Sequence, residues 1–423
     1  MLLRKSYPVL YPSPQSELQP DARPSNGKNQ ASSTAVGLDI GTTKICVIAG
    51  QFDVDSNLSV LGVGSTPNGG MRRGAVVDID HTAEAIRRAL ELVQEQAHVP
   101  IREVTVGIAG DFITSIDAEA MIEIPNPNRG VTRHDIQRVI NRARSRVERR
   151  DLEILHTAIK EFAVDRQDGI KNPLRLSGSQ LEVHVHLVMC QQGPMNNIIK
   201  SVNQSGLRVG EIVLESMASA LCLLTDEEKE EGVMLVDIGG GTTDVAVFCG
   251  GALHFTAEIP IGGDLITQDI VKILQIYNYD AENLKKHYGS ADPSIVETGA
   301  MVDLTAPDNR GRVRRPQQLL AEVIEARVEQ IFLKVNEKVE KSLSEDVPVH
   351  HCVLTGGTAL MKGITSVAER ILSVPVEVGT PRRIRGLSAS LPNPIYATAI
   401  GLVMWGLTYS TQRKWYRRWL EGL

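Results

Sequence analysis

Two short stretches of this chain share a layout suited to phosphate chemistry. Residues 38–50 read LDIGTTKICVIAG, and residues 237–248 read DIGGGTTDVAVF. Each places an aspartate at the end of an apolar run, then glycine, a threonine pair, and a second β-branched run. Glycine suits a turn that passes through positive φ or brings backbone close to a ligand. Successive N–H groups in such a turn make a concave anion site, and threonine hydroxyls add donors. A carboxylate beside bound phosphate requires a cation between them, and Mg2+ with its water shell fits. The first set of candidates is Asp39, Gly41, Thr42, Thr43 and Lys44; the second is Asp237, Gly239, Gly240, Gly241, Thr242 and Thr243. One copy alone could be an ordinary tight hairpin. Two copies, each with its strand-final aspartate, argue for shared chemistry.

Two other phosphate-binding patterns do not fit. A P-loop ends in Gly-Lys-Ser/Thr and opens a helix, and no stretch here matches. A dinucleotide fingerprint also runs into a helix, whereas alternating β-branched residues follow each turn here. The nucleotide would be gripped by hairpins.

These turns need strands to hold them. At 423 residues the chain is long enough for two or more domains. Strand–turn–strand text starts at residue 34 and restarts near residue 232, so two similar α/β lobes are expected. Helical spacing predicts helices over residues 82–97, 132–147, 193–206, 264–276 and 317–342. Residues 83–178 have no counterpart in the second half and are expected to form an inserted domain. Residues 213–224, VLESMASALCLL, place Glu215 at the start of an apolar helix, where the helix dipole alone would also favour it. Residues 351–364 read as strand, glycine turn and helix.

Composition narrows the function classes. The net charge of −6 and the lack of a basic, aromatic-studded surface give no sign of nucleic acid as a partner. The five cysteines are scattered in apolar runs without metal-ligand spacing, which suits reduced thiols in a cytosolic protein. His184 and His186 alternate in a strand-like run, better read as a half-exposed strand face than a zinc pair. No apolar stretch is long enough to cross a bilayer. Residues 1–33, rich in Pro, Ser and Gln, are expected to be a disordered tail. At the other end, STQRKWYRRWLEGL sets Trp415, Tyr416, Trp419, Leu420 and Leu423 on one helical face and Arg413, Lys414, Arg417 and Arg418 on the other. That is the pattern of an interfacial helix with a basic side toward anionic lipid.

The paired hairpins, with CVLTGGTALMKGI further on, resemble the actin, sugar kinase and Hsp70 superfamily. The resemblance implies an α/β, actin-like two-lobed ATPase fold with Mg-ATP in the cleft. It implies that the two turns are phosphate loops, and that Asp39 and Asp237 act through water on Mg2+. Glu215 would orient the attacking water. Gly356 and Gly357 would let backbone pass the purine, and Glu282 with Lys285 or Lys286 would reach the ribose and base.

Further stretches, among them MRRGAVVDIDHTAEAIRRALE, VTVGIAGDFITS, GIKNPLRLSG and IPIGGDLITQDI, are similar to the FtsA family of bacterial cell-division actins across nearly all of residues 34–405. That family carries an inserted domain of the 1C type. By this resemblance residues 34–82, 179–210 and 376–405 form the first lobe, 83–178 the insertion, 211–265 and 343–375 the second lobe, and 266–342 its outer subdomain. Residues 411–423 form the membrane-targeting helix. The resemblance implies at most a slow Mg-dependent ATPase that forms filaments with itself at the division site, on the inner face of the cytoplasmic membrane. It also implies docking of the FtsZ C-terminal tail on the outer subdomain, where Arg312, Arg314 and Arg315 are candidates, and recruitment of later division proteins. A small-molecule kinase of the same fold and an actin-like pilus-assembly adaptor are the alternatives; neither needs a basic, Trp-rich end.

Overall fold

The computed structural model describes residues 9–10, 34–147, 151–305, 312–344, 346–386 and 392–408. The chain begins with β1 (Val9–Leu10), then β2 (Ala35–Ile40), β3 (Lys44–Phe52) and β4 (Leu58–Pro67). A small hairpin of β5 (Met71–Arg72) and β6 (Ala75–Val76) leads to α1 (Ile79–Ala97) and β7 (Glu103–Ile108). Next come β8 (Ile113–Glu123), α2 (Arg133–Ser145), β9 (Leu152–Val164), β10 (Gln167–Ile170) and β11 (Gln180–Gln191). The chain returns through α3 (Gln192–Gln204), β12 (Arg208–Leu214) and α4 (Glu215–Leu223). After α5 (Asp226–Glu231) come β13 (Val233–Ile238), β14 (Thr243–Cys249), β15 (Ala252–Ile259), α6 (Gly263–Leu274) and α7 (Asn278–Tyr288). The last elements are β16 (Met301–Thr305), β17 (Arg312–Pro316), α8 (Gln317–Ser342), β18 (His351–Thr355), α9 (Ile364–Leu372), β19 (Val376–Val378), β20 (Ile384–Gly386) and a helix over residues 397–408, α10.

The two lobes repeat one plan. In the first, β4, β3 and β2 form an antiparallel meander, and β7 and β12 extend it in parallel. In the second, β15, β14 and β13 form the meander, and β18 and β19 extend it in parallel. The central strands β2, β13 and β18 are apolar almost throughout because helices or loops cover both faces. Each meander's first turn is a glycine–threonine turn, so the repeated plan places both turns alike.

The inserted domain has its own core. Strands β8, β11 and β9 form an antiparallel sheet, and α2 packs on it through Ile136, Val139 and Ile140. Thr132 caps α2 in a reciprocal capping box with Asp135, whose buried carboxylate Arg129 and Arg138 neutralise. The domain touches the second lobe at its sheet edge. Ser115 donates to the Thr256 carbonyl at 3.0 Å, and buried His186 sits between Asp117 (2.8 Å) and Thr256 (3.2 Å). Burial holds the His186 ring below its usual pKa, against the pull of Asp117.

Several boundaries differ from expectation. Helix α1, expected to open the insertion at residue 83, belongs to the first lobe: Gly62 and Gly64 of β4 allow it so close that a Cβ at Gly64 would lie 2.0 Å from the Ala89 carbonyl oxygen. With β7 paired to β2, the insertion starts only after residue 108. The strand over 180–191, assigned to the first lobe, pairs along its length with β8 and β9 inside the insertion. Strand β12, which straddles the boundary expected at residue 211, pairs wholly with β7 in the first lobe; β19, expected in the first lobe, pairs with β18 in the second. Tail residues Val9 and Leu10, expected to be disordered, form a short parallel strand beside β9. Residues 411–423, with Trp415, Tyr416, Trp419, Leu420, Leu423, Arg413, Lys414, Arg417 and Arg418, lie outside the described residues. Among the described residues, no helix is long and apolar enough to cross a membrane.

Candidate functional site: a cleft with two facing glycine turns

The first turn joins Ile40 to Ile45, and the second joins Ile238 to Thr243. The structure brings them into contact. A Cβ at Gly240 would stand 2.5 Å from Thr43 Cγ2, and one at Gly241 would stand 2.6 Å from Thr42 Oγ1. Close approach is therefore what these positions demand. The expectation of positive φ is not met: Gly41, Gly239, Gly240 and Gly241 all stay outside the left-handed region. Gly41 has its own tight neighbour, since a Cβ there would lie 2.9 Å from the Lys44 carbonyl oxygen.

Neighbouring segments occupy the turn carbonyls. Asn68 donates from its side chain to the Gly41 carbonyl at 2.9 Å and from its backbone to the Thr43 carbonyl at 3.0 Å. The Gly239 carbonyl accepts from the Gly263 amide (2.9 Å) and the Thr358 hydroxyl (3.2 Å), and the Gly240 carbonyl accepts from the Asp264 amide (2.8 Å). Carbonyl oxygens would repel a phosphate, so turning them into the protein leaves the amide side for the cleft.

Beneath the turns lies a concentration of carboxylates. Asp39 and Asp237 are buried, and burial raises both to about 6, against the pull of Lys44. Asp237 accepts from Thr398 at 3.2 Å and from Ser219 at 3.4 Å, so α4 and α10 both hold it. Glu215 opens α4 and reaches under Gly107, where a Cβ would lie 3.0 Å from its Cγ. Burial, with Asp39, Asp244 and Asp237 around it, pushes Glu215 well above the usual carboxylate range. Asp244 and Glu258 face each other across β14 and β15, and burial raises both, Glu258 to about 7. Asp244 Oδ1 and both Glu258 oxygens are buried, and the two carboxyls bond to each other across the strand pair, which requires one of them to keep a proton.

Lys44 is the cation that Asp39 and Asp237 share. Its Nζ donates to the Ile395 carbonyl at 2.6 Å and lies 5.1 Å from the centre of the Tyr396 ring. Unneutralised buried carboxylates are costly, so this donor set fits a hard divalent cation with oxygen ligands, as Mg2+ is.

The remaining candidates divide. Gly356 has φ +86 and packs against Asp237, where a Cβ would lie 2.4 Å from Oδ1, so its first duty is to the carboxylate. Gly357 faces open space, with only Ile395 Cγ2 at 4.0 Å. Lys285 donates to the Gly263 carbonyl (3.1 Å) and Thr267 (2.8 Å) and pairs with Glu282 (2.6 Å), which puts this cluster beside the second turn. Lys286 is largely exposed and also pairs with Glu282, at 3.1 Å. Arg312, Arg314 and Arg315 lie in β17, a strand paired with β16; Arg314 and Arg315 are exposed, and Arg314 pairs with Asp303 at 3.4 Å. Sequence reasoning missed Ser219, Thr398, Asp244 and Glu258. A signal existed for Asp244: the position after the threonine pair is Lys44 in one turn and Asp244 in the other.

Comparison with known proteins decides the family. The model of the cell division protein FtsA matches residues 234–401, and that of the SHS2 domain inserted in FtsA matches residues 110–189. The FtsA of Pseudomonas aeruginosa is 40% identical over 378 residues, 89% of this chain and 90% of that protein. This chain belongs to the FtsA family of cell-division proteins. The FtsA of Escherichia coli is 36% identical over 88% of this chain and 90% of its own length. Among solved structures, the PilM–PilN type IV pilus biogenesis complex superposes with a TM-score of 0.62 at 17% identity, covering 88% of this chain and 98% of that one. The MreB5 of Spiroplasma citri, bound to AMPPNP, superposes with a TM-score of 0.52 at 15% identity, covering 90% of this chain and 98% of that one. At such identities the likeness is one of fold: the two lobes are actin-like, and the insertion is the SHS2 domain of FtsA. The type IV pilus assembly protein PilM model also matches residues 172–293, but the FtsA relatives cover the chain at twice the identity, which sets the pilus-adaptor and kinase alternatives aside.

Proposed function

We propose that this protein binds Mg-ATP between its lobes, polymerises on the inner face of the cytoplasmic membrane, and tethers the FtsZ ring there while recruiting later division proteins. The observation that carries the reading is the contact between the two turns above a buried, undercompensated set of carboxylates. When bound, Mg-ATP supplies a cation for those carboxylates and a terminal phosphate open to in-line attack by water.

The chain's own residues divide the work. Asp39 and Asp237 would hold Mg2+ through its water shell, and Thr42, Thr43 and Thr242 would donate toward the phosphates; the buried Thr243 hydroxyl instead donates to the Ile261 carbonyl at 2.8 Å. Lys44 would leave the Ile395 carbonyl for the same anion. Burial and its acidic neighbours favour the protonated form of Glu215 in the empty cleft; added positive charge would favour the carboxylate, which could orient a water. Gly357 leaves room for a purine, and Glu282 with Lys285 or Lys286 lies on the side where a ribose would sit. Because Thr42 and Thr43 touch Gly240 and Gly241, nucleotide entry must part the turns, which ties lobe separation to occupancy.

Membrane attachment would fall to residues 411–423. Each buried Trp or Leu contributes roughly 1.5–3 kcal/mol and each cation about 1 kcal/mol, against the cost of ordering a short helix. A single tail would bind reversibly, and a filament would attach firmly by multivalency. For the FtsZ tail, the outer subdomain offers the β17 arginines and a groove of about 640 Å3 between α6 and α8, lined by Lys272, Ile273, Leu319, Val323 and Arg327. The test is co-pelleting with anionic liposomes, with and without ATP, for the full chain and one ending at Thr411. ATP-dependent filaments on vesicles that vanish with the truncation support the reading. Filaments that still bind vesicles after truncation would exclude the tail as anchor.

A further inference from the structure

The open edge of the inserted domain carries an observation that the family reading does not use. Strand β9 pairs along its whole length with β11 on one side. On its other side β10 covers only Phe162 and Val164. At the start of β9, His156 accepts from the Leu214 amide of β12 at 3.0 Å, so a side chain, not a strand ladder, joins the insertion to the edge of the first-lobe sheet. Just beyond, Val9 pairs with Thr157 and Leu10 with Ala158, in parallel.

The sequence around these two residues suits an edge strand. It reads YPVLYP, with prolines at 8 and 12. Proline holds its own φ and disfavours helix for the residue before it, so the sequence favours extended backbone here. Lacking an N–H, the prolines also stop a ladder from growing along or beyond the segment, which is how edge strands are kept from recruiting further strands. The connection back to the fold, residues 11–33, could span on the order of 75 Å if extended, ample for a loop closing on the same molecule. Tethering of this kind gives a local concentration on the order of millimolar, enough to favour a weak pairing.

We propose that the N-terminal segment around Val9 and Leu10 is a built-in strand that caps the β9 edge of the inserted domain in the same molecule. The tail is thus an intramolecular ligand. The edge from Thr157 to Ala158 is the site it closes, and β-strand addition is its mode of binding.

Amide hydrogen exchange on the full-length protein tests this. Three proteins are compared: the full chain, the full chain with Val9→Pro and Leu10→Pro, and a chain starting at Thr34. Outward-facing β9 amides near Thr157 and Ala158 are the readout, and amides facing β11 are the internal control. The expected result is exchange on the order of ten-fold faster at the outward amides in both altered proteins, with control amides unchanged, as one lost hydrogen bond implies. A synthetic peptide of residues 6–14 at millimolar concentration should restore protection in the shortened chain, and its proline-substituted form should not. Equal exchange at the outward amides in all three proteins would overturn the proposal.

Discussion

Replacing Asp237 with asparagine should stabilise the nucleotide-free protein, and by an amount that depends on pH. Burial raises this carboxyl from its ordinary 3.8 to about 6. Between those values the folded chain holds a proton that the unfolded chain has released, so stability falls as pH rises through the window. Above about pH 6 the full penalty is present. That rise corresponds to a limit of about 3 kcal/mol for this group alone, beside the relief of Asp39, Glu215, Asp244 and Glu258, whose ionisation the Asp237 charge also opposes. Asparagine cannot ionise, yet it keeps an oxygen for the hydroxyls of Ser219 and Thr398. The difference between variant and wild type should be small near about pH 4 and reach that limit by about pH 7.5. At about 2.1 cal/mol/K per residue, 423 residues give roughly 1 °C per kcal/mol, so the gain at neutral pH is about 3 °C in Tm. The histidines that burial depresses, His186, His156 to about 3 and His254 to about 4, are common to both proteins and cancel in the comparison. Differential scanning fluorimetry across that pH range, without and with Mg-ATP, reads the effect. A pH-independent difference, or a variant less stable at neutral pH, would refute the electrostatic account of the cleft. The same variant should also gain little or nothing from Mg-ATP, because it lacks the charge that the cation would meet.

Other outcomes follow from the same geometry. Gly240→Ala forces a Cβ against Thr43 in the empty cleft and should lower the Tm of the nucleotide-free protein, a loss that Mg-ATP, by parting the turns, should largely reverse. Gly401→Ala drives a methyl to 1.9 Å from the Ala218 carbonyl oxygen, where α10 crosses α4; overpacking of this kind costs roughly 1–3 kcal/mol, read as a lower Tm. Thr398→Val removes one donor to Asp237, so its carboxyl should hold its proton to higher pH and Mg2+ should bind several-fold more weakly at about pH 6.5, the difference narrowing as pH rises. Trp415→Ala with Trp419→Ala should weaken vesicle binding of an assembly-deficient protein by more than ten-fold, in line with about 1.5–3 kcal/mol for each large apolar side chain.

Much of the architecture could be read from pattern alone, because the lobes repeat strand, glycine turn and strand at a recognisable spacing. The glycine turns and the apolar run after Glu215 are local signals. What was not legible depends on contacts between distant segments. Helix α1 reads equally well as part of an insertion, and only the glycine-lined face of β4 fixes it to the first lobe. The strand over 180–191 could join either neighbouring sheet, and its pairing with β8 and β9 is a tertiary fact. Thr398 lies 161 residues from Asp237, and nothing in its own segment marks it as a carboxylate partner. In the sequence Gly356 suggests room for a base, whereas in the fold its backbone passes against Asp237. Asp244 was in plain sight, but its burial against Glu258 emerges only from the register of β14 and β15.

Isothermal titration calorimetry with ATP, in the presence and absence of Mg2+, tests the central claim most directly. The account predicts binding heat for the wild-type protein that requires Mg2+ and disappears when Asp39 and Asp237 are both changed to alanine. Equal heats for wild type and double variant, or none for the wild type at millimolar ATP and Mg2+, would contradict it.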